Sequence, residues 1–112
     1  MTAPRLNRQL ALEVPERVAD GSGGYTESWA ERGRLWAEIR STPAGEATLG
    51  AALVSRVNHR IVVRAAPHGA PSRPTAAHRF REGGRVYRIL SVTEADSSGR
   101  HLLCNAVEEI AP

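Results

Sequence analysis

GGYTESWAERGRLWAEI, residues 23–39, holds three of the five aromatic side chains in this 112-residue chain. Its second half alternates. Leu35, Ala37 and Ile39 point one way and Arg34, Trp36, Glu38 and Arg40 the other, which is the period-two pattern of a β-strand with one buried face. Trp36 therefore shares its face with three charged residues. A tryptophan ring is costly to leave in water, so an outward Trp36 predicts a partner surface that covers it. Trp29, beside the glycine turn, is expected in the core or at the end of a barrel.

The same alternation flanks this stretch. Residues 8–14 place Leu10, Leu12 and Val14 on one face, and Pro15 is expected to end or bend that strand. The turn cluster Asp20-Gly-Ser-Gly-Gly24 returns the chain beside it. Residues 56–64 carry Val57, His59, Ile61 and Val63 inward, with Arg60 and Arg64 among the outward set. An extended, Pro-rich connection follows over 65–77. Phe80, Gly83-Gly84, Val86-Tyr87 and the run to Val92 read as a hairpin, Asp96-Ser-Ser-Gly99 as a turn, and 101–107 as a final strand. Thr42-Pro43 has the form of a helix start, and Leu49, Ala52 and Leu53 would be its apolar stripe. Gly45 and Gly50 weaken it, so residues 43–53 are expected to be a short helix or a mobile connection. Short strands with regularly spaced turns define a mainly β fold: a single domain over 1–112, built as a small antiparallel barrel or sandwich with at most one short helix and long loops.

Composition narrows the function classes. The hydrophobic fraction of 41% with aromatics at only 4% gives an aliphatic core that is modest for one domain. All fifteen basic residues are arginine, and they are unevenly placed: residues 47–81 carry six arginines and no acid. Such a segment suits phosphate or an acidic protein surface, or forms a solvated arginine face on an edge strand. The single Cys104 supplies neither a disulfide nor a cysteine metal cluster and is expected to be a small buried residue. No signal peptide or membrane-length span is recognisable, so an intracellular product with no membrane partner is expected.

Catalytic chemistry finds little support. His59, His68, His78 and His101 show no metal-ligand spacing, and strand histidines such as His59 and His101 are expected to be hydrogen-bonded structural residues. The glycine cluster at 21–24 lacks the lysine and spacing of a phosphate-binding loop. Neither a catalytic residue, a metal site nor a cofactor is expected. A small histidine hydrolase has no motif to rest on. A free-standing nucleic-acid-binding barrel would combine arginines with aromatic platforms, yet Phe80 is the one aromatic in residues 47–81.

Taken in order, LNRQLALEV (6–14), GGYTESW (23–29), LWAEI (35–39), VNHRIVVR (57–64), GGRVYRIL (83–90) and LLCNAVEE (102–109) resemble the head-tail joining proteins of tailed bacteriophages, also called head-closure or stopper proteins, and their gene transfer agent counterparts. The resemblance implies a β-barrel subunit of a homo-oligomeric ring in the particle neck, assembled in the bacterial host cytoplasm. Its expected partners are portal or adaptor proteins, a tail terminator or tail-completion protein, and the double-stranded DNA passing through. On that reading Glu46, Thr48, Leu49 and Leu53 belong to a channel or gating segment. Arg56, Arg60 and Arg64 are candidates for contact with DNA or the adaptor, and Trp36 for the subunit interface.

Overall fold

The structure, a computed structural model, describes residues 3–42 and 58–109. Six strands make up the described chain: β1 (Arg8–Ala19), β2 (Tyr25–Thr42), β3 (Asn58–Arg64), β4 (Arg79–Glu82), β5 (Arg85–Glu94) and β6 (His101–Glu109). They pair in the order β1-β2-β3-β6-β5-β4, every pair antiparallel, and the sheet closes on itself as a barrel. The seam is short, with Ala11 opposite Arg81, Leu12 opposite Phe80 and Glu13 opposite Arg79. No helix occurs among the described residues.

The inward residues of every strand supply the core. Leu10, Leu12, Ile61, Val63, Ile89 and Leu102 are packed around Phe80 and Tyr87, and Cys104 is buried among them. Burial pushes the Cys104 thiol up to about 12, which keeps it protonated and inert.

The hairpin between β1 and β2 follows from the turn cluster. Asp20 Oδ1 accepts from the backbone N–H groups of Ser22 and Gly24 at 2.8 and 3.1 Å, while Gly21 and Gly23 take the positive φ angles of 81° and 85° that a side chain would disfavour. Of the two expectations for Pro15, that it ends β1 is not met: the strand runs through it to Ala19, with Pro15 opposite Trp29. Beyond Glu13, β1 pairs with β2 alone among the described residues, so a residue without an N–H is accommodated on its other edge. The pairs from Val14–Ala30 to Ala19–Tyr25 thus form a two-stranded ribbon beyond the barrel.

A β-bulge resolves the placement of the two tryptophans. Leu12 pairs with Gly33 and Glu13 with Glu31, so Arg32 is the extra residue in β2. Without it, residues seven apart on one strand would face opposite sides. With it, Trp29 (opposite Pro15) and Trp36 (opposite Gln9) both face outward. Of the two places expected for Trp29, the core is excluded: it lies on the outer side at the end of the barrel, where the ribbon begins, with Arg79 over its ring. Leu35, Ala37 and Ile39 follow the bulge and keep their inward phase, leaving Trp36 54% exposed.

Candidate functional site: a sealed barrel with a charged outer wall

Among the described residues the barrel interior is filled by packed side chains. At the end where β2 finishes and β3 begins, inward-phase positions turn from apolar to polar and cap the core. Arg8 donates from Nε to Glu82 at 2.9 Å, and its Nη2 also reaches that carboxylate. Arg85 grips Glu108 with both Nε and Nη2, at 3.0 and 2.9 Å. Glu108 also meets His59 Nε2 at 3.0 Å, and His59 Nδ1 lies 3.3 Å from Ser41 Oγ. With Nε2–H donating to the carboxylate, Nδ1 accepts from the serine hydroxyl, a tautomer assigned from the network. The His59 ring packs edge-on against Tyr87, with centroids 5.0 Å apart.

Hydrogen bonds from Arg8 and Arg85 hold the Glu82 and Glu108 carboxyls below the usual carboxylate range. His59 is 2% exposed and bound on both sides, so it is structural, as expected. His101, only part-buried, is hydrogen-bonded on one side, its Nδ1 2.9 Å from Asp96. Among the described residues no group of three His, Cys, Asp or Glu side chains is placed to hold a metal ion.

Sequence reasoning missed this cap, although its signal was present. Arg8 is in phase with Leu10, Glu82 with Phe80, Arg85 with Tyr87 and Glu108 with Ala106; charged residues in the inward phase at strand ends mark a barrel mouth.

The acid-free segment divides into spent and free arginines. Arg79 and Arg81, outward on β4, both reach Glu13, with Nε–O distances of 2.7 and 3.0 Å. Burial alone would raise the Glu13 carboxyl, but hydrogen bonds from Arg79 and Arg81 outweigh it and hold it low. Arg79 also stacks over Trp29. Arg73 Nη1 donates to the Ala66 carbonyl at 2.7 Å. Arg60 and Arg64, by contrast, are exposed on the outer face of β3 and make no ion pair among the described residues.

These two belong to a wall formed by the outer faces of β2, β3 and β6. Arg60 lies directly opposite Arg40 on β2. Arg40 is already engaged with Glu38 at 2.8 Å, and Glu38 also accepts from the Arg5 backbone N–H at 2.8 Å. Val62, between Arg60 and Arg64, is 6% exposed, and Ala3, Pro4, Arg40 and His101 line a cleft of about 380 Å³ beside it. Ala37 is opposite Val63, so Trp36 and Arg64 occupy the next positions of the same face. The structure thus brings Trp36, Arg60 and Arg64 together on one wall. Glu46, Thr48, Leu49, Leu53 and Arg56, with the expected helix or connection at 43–53, lie outside the described residues.

Among the described residues, the arginines without ion pairs on the wall and the exposed aromatics Tyr25 and Trp36 all lie outside the filled and capped barrel. The chain belongs to the phage head completion protein family, which it matches over residues 1–109. It is therefore a structural, non-enzymatic component of phage or phage-like particles. A chain in the virion of a native gene transfer agent particle is similar to it at 46% identity, covering 97% of this chain and 100% of that one, with a TM-score of 0.77. A protein of Shigella flexneri 2a solved in solution shares the fold at 23% identity, with full coverage of both chains and a TM-score of 0.71. No curated protein matches.

Proposed function

We propose that the chain is a head-tail connector: a subunit of a ring below the portal or adaptor that retains packaged DNA and offers the tail a docking surface. The observation that carries this reading is the 46% identity, over 97% of the chain, to a chain of a gene transfer agent virion. The geometry is compatible with it. The barrel interior is filled and capped, so DNA would pass through the middle of a ring and not through any one subunit. Thr42 and Asn58, the described residues on either side of 43–57, pair with each other at the capped mouth. On this reading the connection between them extends into the ring's lumen with Glu46, Thr48, Leu49 and Leu53, and holds or releases DNA by changing position.

The rival, a free-standing nucleic-acid-binding barrel, is weakened by Phe80. That side chain is fully buried, which removes the one aromatic of the basic segment from any base-stacking role. Electron microscopy of purified particles tests the proposal: a ring of this chain between head and tail is expected. Absence of the chain from purified particles, or a position away from the neck, overturns it.

A further inference from the structure

We propose that the acidic tip of the β1–β2 ribbon of one copy seats on the Trp36–Arg60–Arg64 wall of the next, forming the head-to-tail contact of a ring. The inference rests on the connector reading and says which surfaces meet. Among the described residues, two surfaces of opposite charge are left without ion-pair partners. The ribbon carries Glu16, Asp20 and Glu27 against Arg17, a net acidic balance: Arg17 lies directly opposite Glu27 without an ion pair between them, and Glu16, on the other face of the ribbon, has no ion-pair partner among the described residues. The wall carries the unpaired Arg60 and Arg64.

These charges cannot meet within one molecule. β2 is continuous from Tyr25 to Thr42, so Glu27 and Arg40, the register partner of Arg60, are roughly 40 Å apart along one extended strand. That is several times the screening length at physiological salt, about 8 Å. Each surface must find its complement in trans, and a second copy supplies both.

Apolar contact points the same way. A two-stranded ribbon is marginal without support, and Tyr25 and Val18 stand 67% and 48% exposed on this one. The wall offers Trp36, 54% exposed, beside its arginines. Aromatic anchors ringed by complementary charge are the usual make-up of a specific interface. Because tip and wall are different surfaces, the contact is heterologous and repeats from subunit to subunit, closing where the rotation permits. The same geometry assigns the role of Arg60 and Arg64. A wall covered by a neighbour through Trp36 does not also face DNA, so their partners are carboxylates.

Reciprocal charge reversal tests this on the full chain. One variant carries Glu16→Arg with Glu27→Arg, and the other Arg60→Glu with Arg64→Glu; all four side chains are exposed, and circular dichroism checks that both variants fold. In sedimentation at low salt, wild-type chain is expected to self-associate and to dissociate as salt rises. Each variant alone should associate at least about tenfold more weakly, because like charges then meet at every contact. An equal mixture should recover association, since each tip then meets an oppositely charged wall. Wild-type chain that stays monomeric at millimolar concentration, variants that associate normally, or a mixture that fails to recover would each overturn the interface. So would loss of duplex DNA binding by the Arg60/Arg64 variant with self-association unchanged, which would make phosphate the occupant. A neck ring that ignores the reversals leaves the connector reading standing without this interface. Tip-to-wall association in a chain missing from particles does the opposite.

Discussion

Arg79 lies over the ring of Trp29, its guanidinium carbon 4.1 Å from the ring centroid, across the junction where the ribbon leaves the barrel. The same guanidinium donates from Nε to Glu13 at 2.7 Å, so one side chain joins β4, β1 and the first residues of the ribbon. Glu13 is 8% exposed although it sits in the outward phase of β1. The arginines of β4 arch over it. The barrel seam thus has a polar clasp outside and Leu12 against Phe80 inside.

Glu13→Ala should therefore destabilise the chain more than an ordinary outward substitution. Two guanidiniums lose their acceptor, and the partly buried Arg79 must reorganise toward solvent; a loss of about 2 kcal/mol is expected from the usual cost of orphaning such a group. Urea unfolding of mutant and wild type measures it. A change under about 0.5 kcal/mol, the range of ordinary surface substitutions, would mean that the clasp contributes nothing to the seam.

The carboxylates also set the response to acid. Glu82, Glu108 and Glu38 are held low chiefly by hydrogen bonds from Arg8, Arg85 and Arg40, and Asp96 is lowered to about 2 first by its hydrogen bond with His101. Glu13 is lowered as well, its arginines outweighing its burial. Groups with depressed folded pKa values contribute stability that is fully present above the unfolded carboxylate range and is lost as pH falls through the folded values. Between neutrality and about pH 5 the melting temperature should fall only slightly, as His78, held low by burial, resists a proton that the unfolded chain accepts, and below that it should fall steadily toward pH 2. A flat profile down to pH 3 would show that the ion pairs at the mouth and seam do not act in solution.

Much of the fold was legible from two-residue periodicity, because a sheet with one buried face writes its register into the sequence. Leu10, Leu12, Ile61 and Val63 are inward as their alternation requires. Trp29 was legible only in part: Gly33 marks a place where a bulge can shift the strand's phase, but local pattern does not say that Arg32 is the extra residue or that the shift turns Trp29 outward at the barrel end while Trp36 keeps its phase. Pro15 was likewise legible in part: a proline ends a strand only where its N–H is needed, and β1 pairs there with β2 alone among the described residues. At the wall, Arg60 and Arg64 were visible as outward arginines. That Arg79 and Arg81 were already committed to Glu13 depended on the β1–β4 closure, a tertiary pairing that local pattern does not contain.

Cys104 provides a probe of opening. Its thiol is fully buried in the core and pushed up to about 12, so thiolate is scarce and out of reach at neutral pH. Native chain should resist a thiol reagent at pH 8 and react at the rate of global unfolding, with full labelling in denaturant. Fast labelling under native conditions would reveal local opening around β6, against the closed barrel described above.

Trp36 is the residue on which monomer and assembly should respond most differently. It faces outward opposite Gln9, and the bulge at Arg32 lies upstream, so nothing between Gly33 and Thr42 reverses its phase. An exposed ring contributes little to the stability of its own domain, so Trp36→Ala should shift monomer stability by about 0.5 kcal/mol or less. Covered by a neighbour, the same ring becomes an anchor. Truncating a tryptophan anchor costs about 2 kcal/mol or more, which corresponds to roughly thirtyfold weaker association. The expected mutant is folded, melts like wild type, assembles poorly, and gives particles deficient in tails or retained DNA. Thermal melts and sedimentation on the one variant decide the matter. A mutant that assembles normally would remove Trp36 from the interface, and one that loses several kcal/mol as a monomer would show that the ring stabilises its own barrel wall instead.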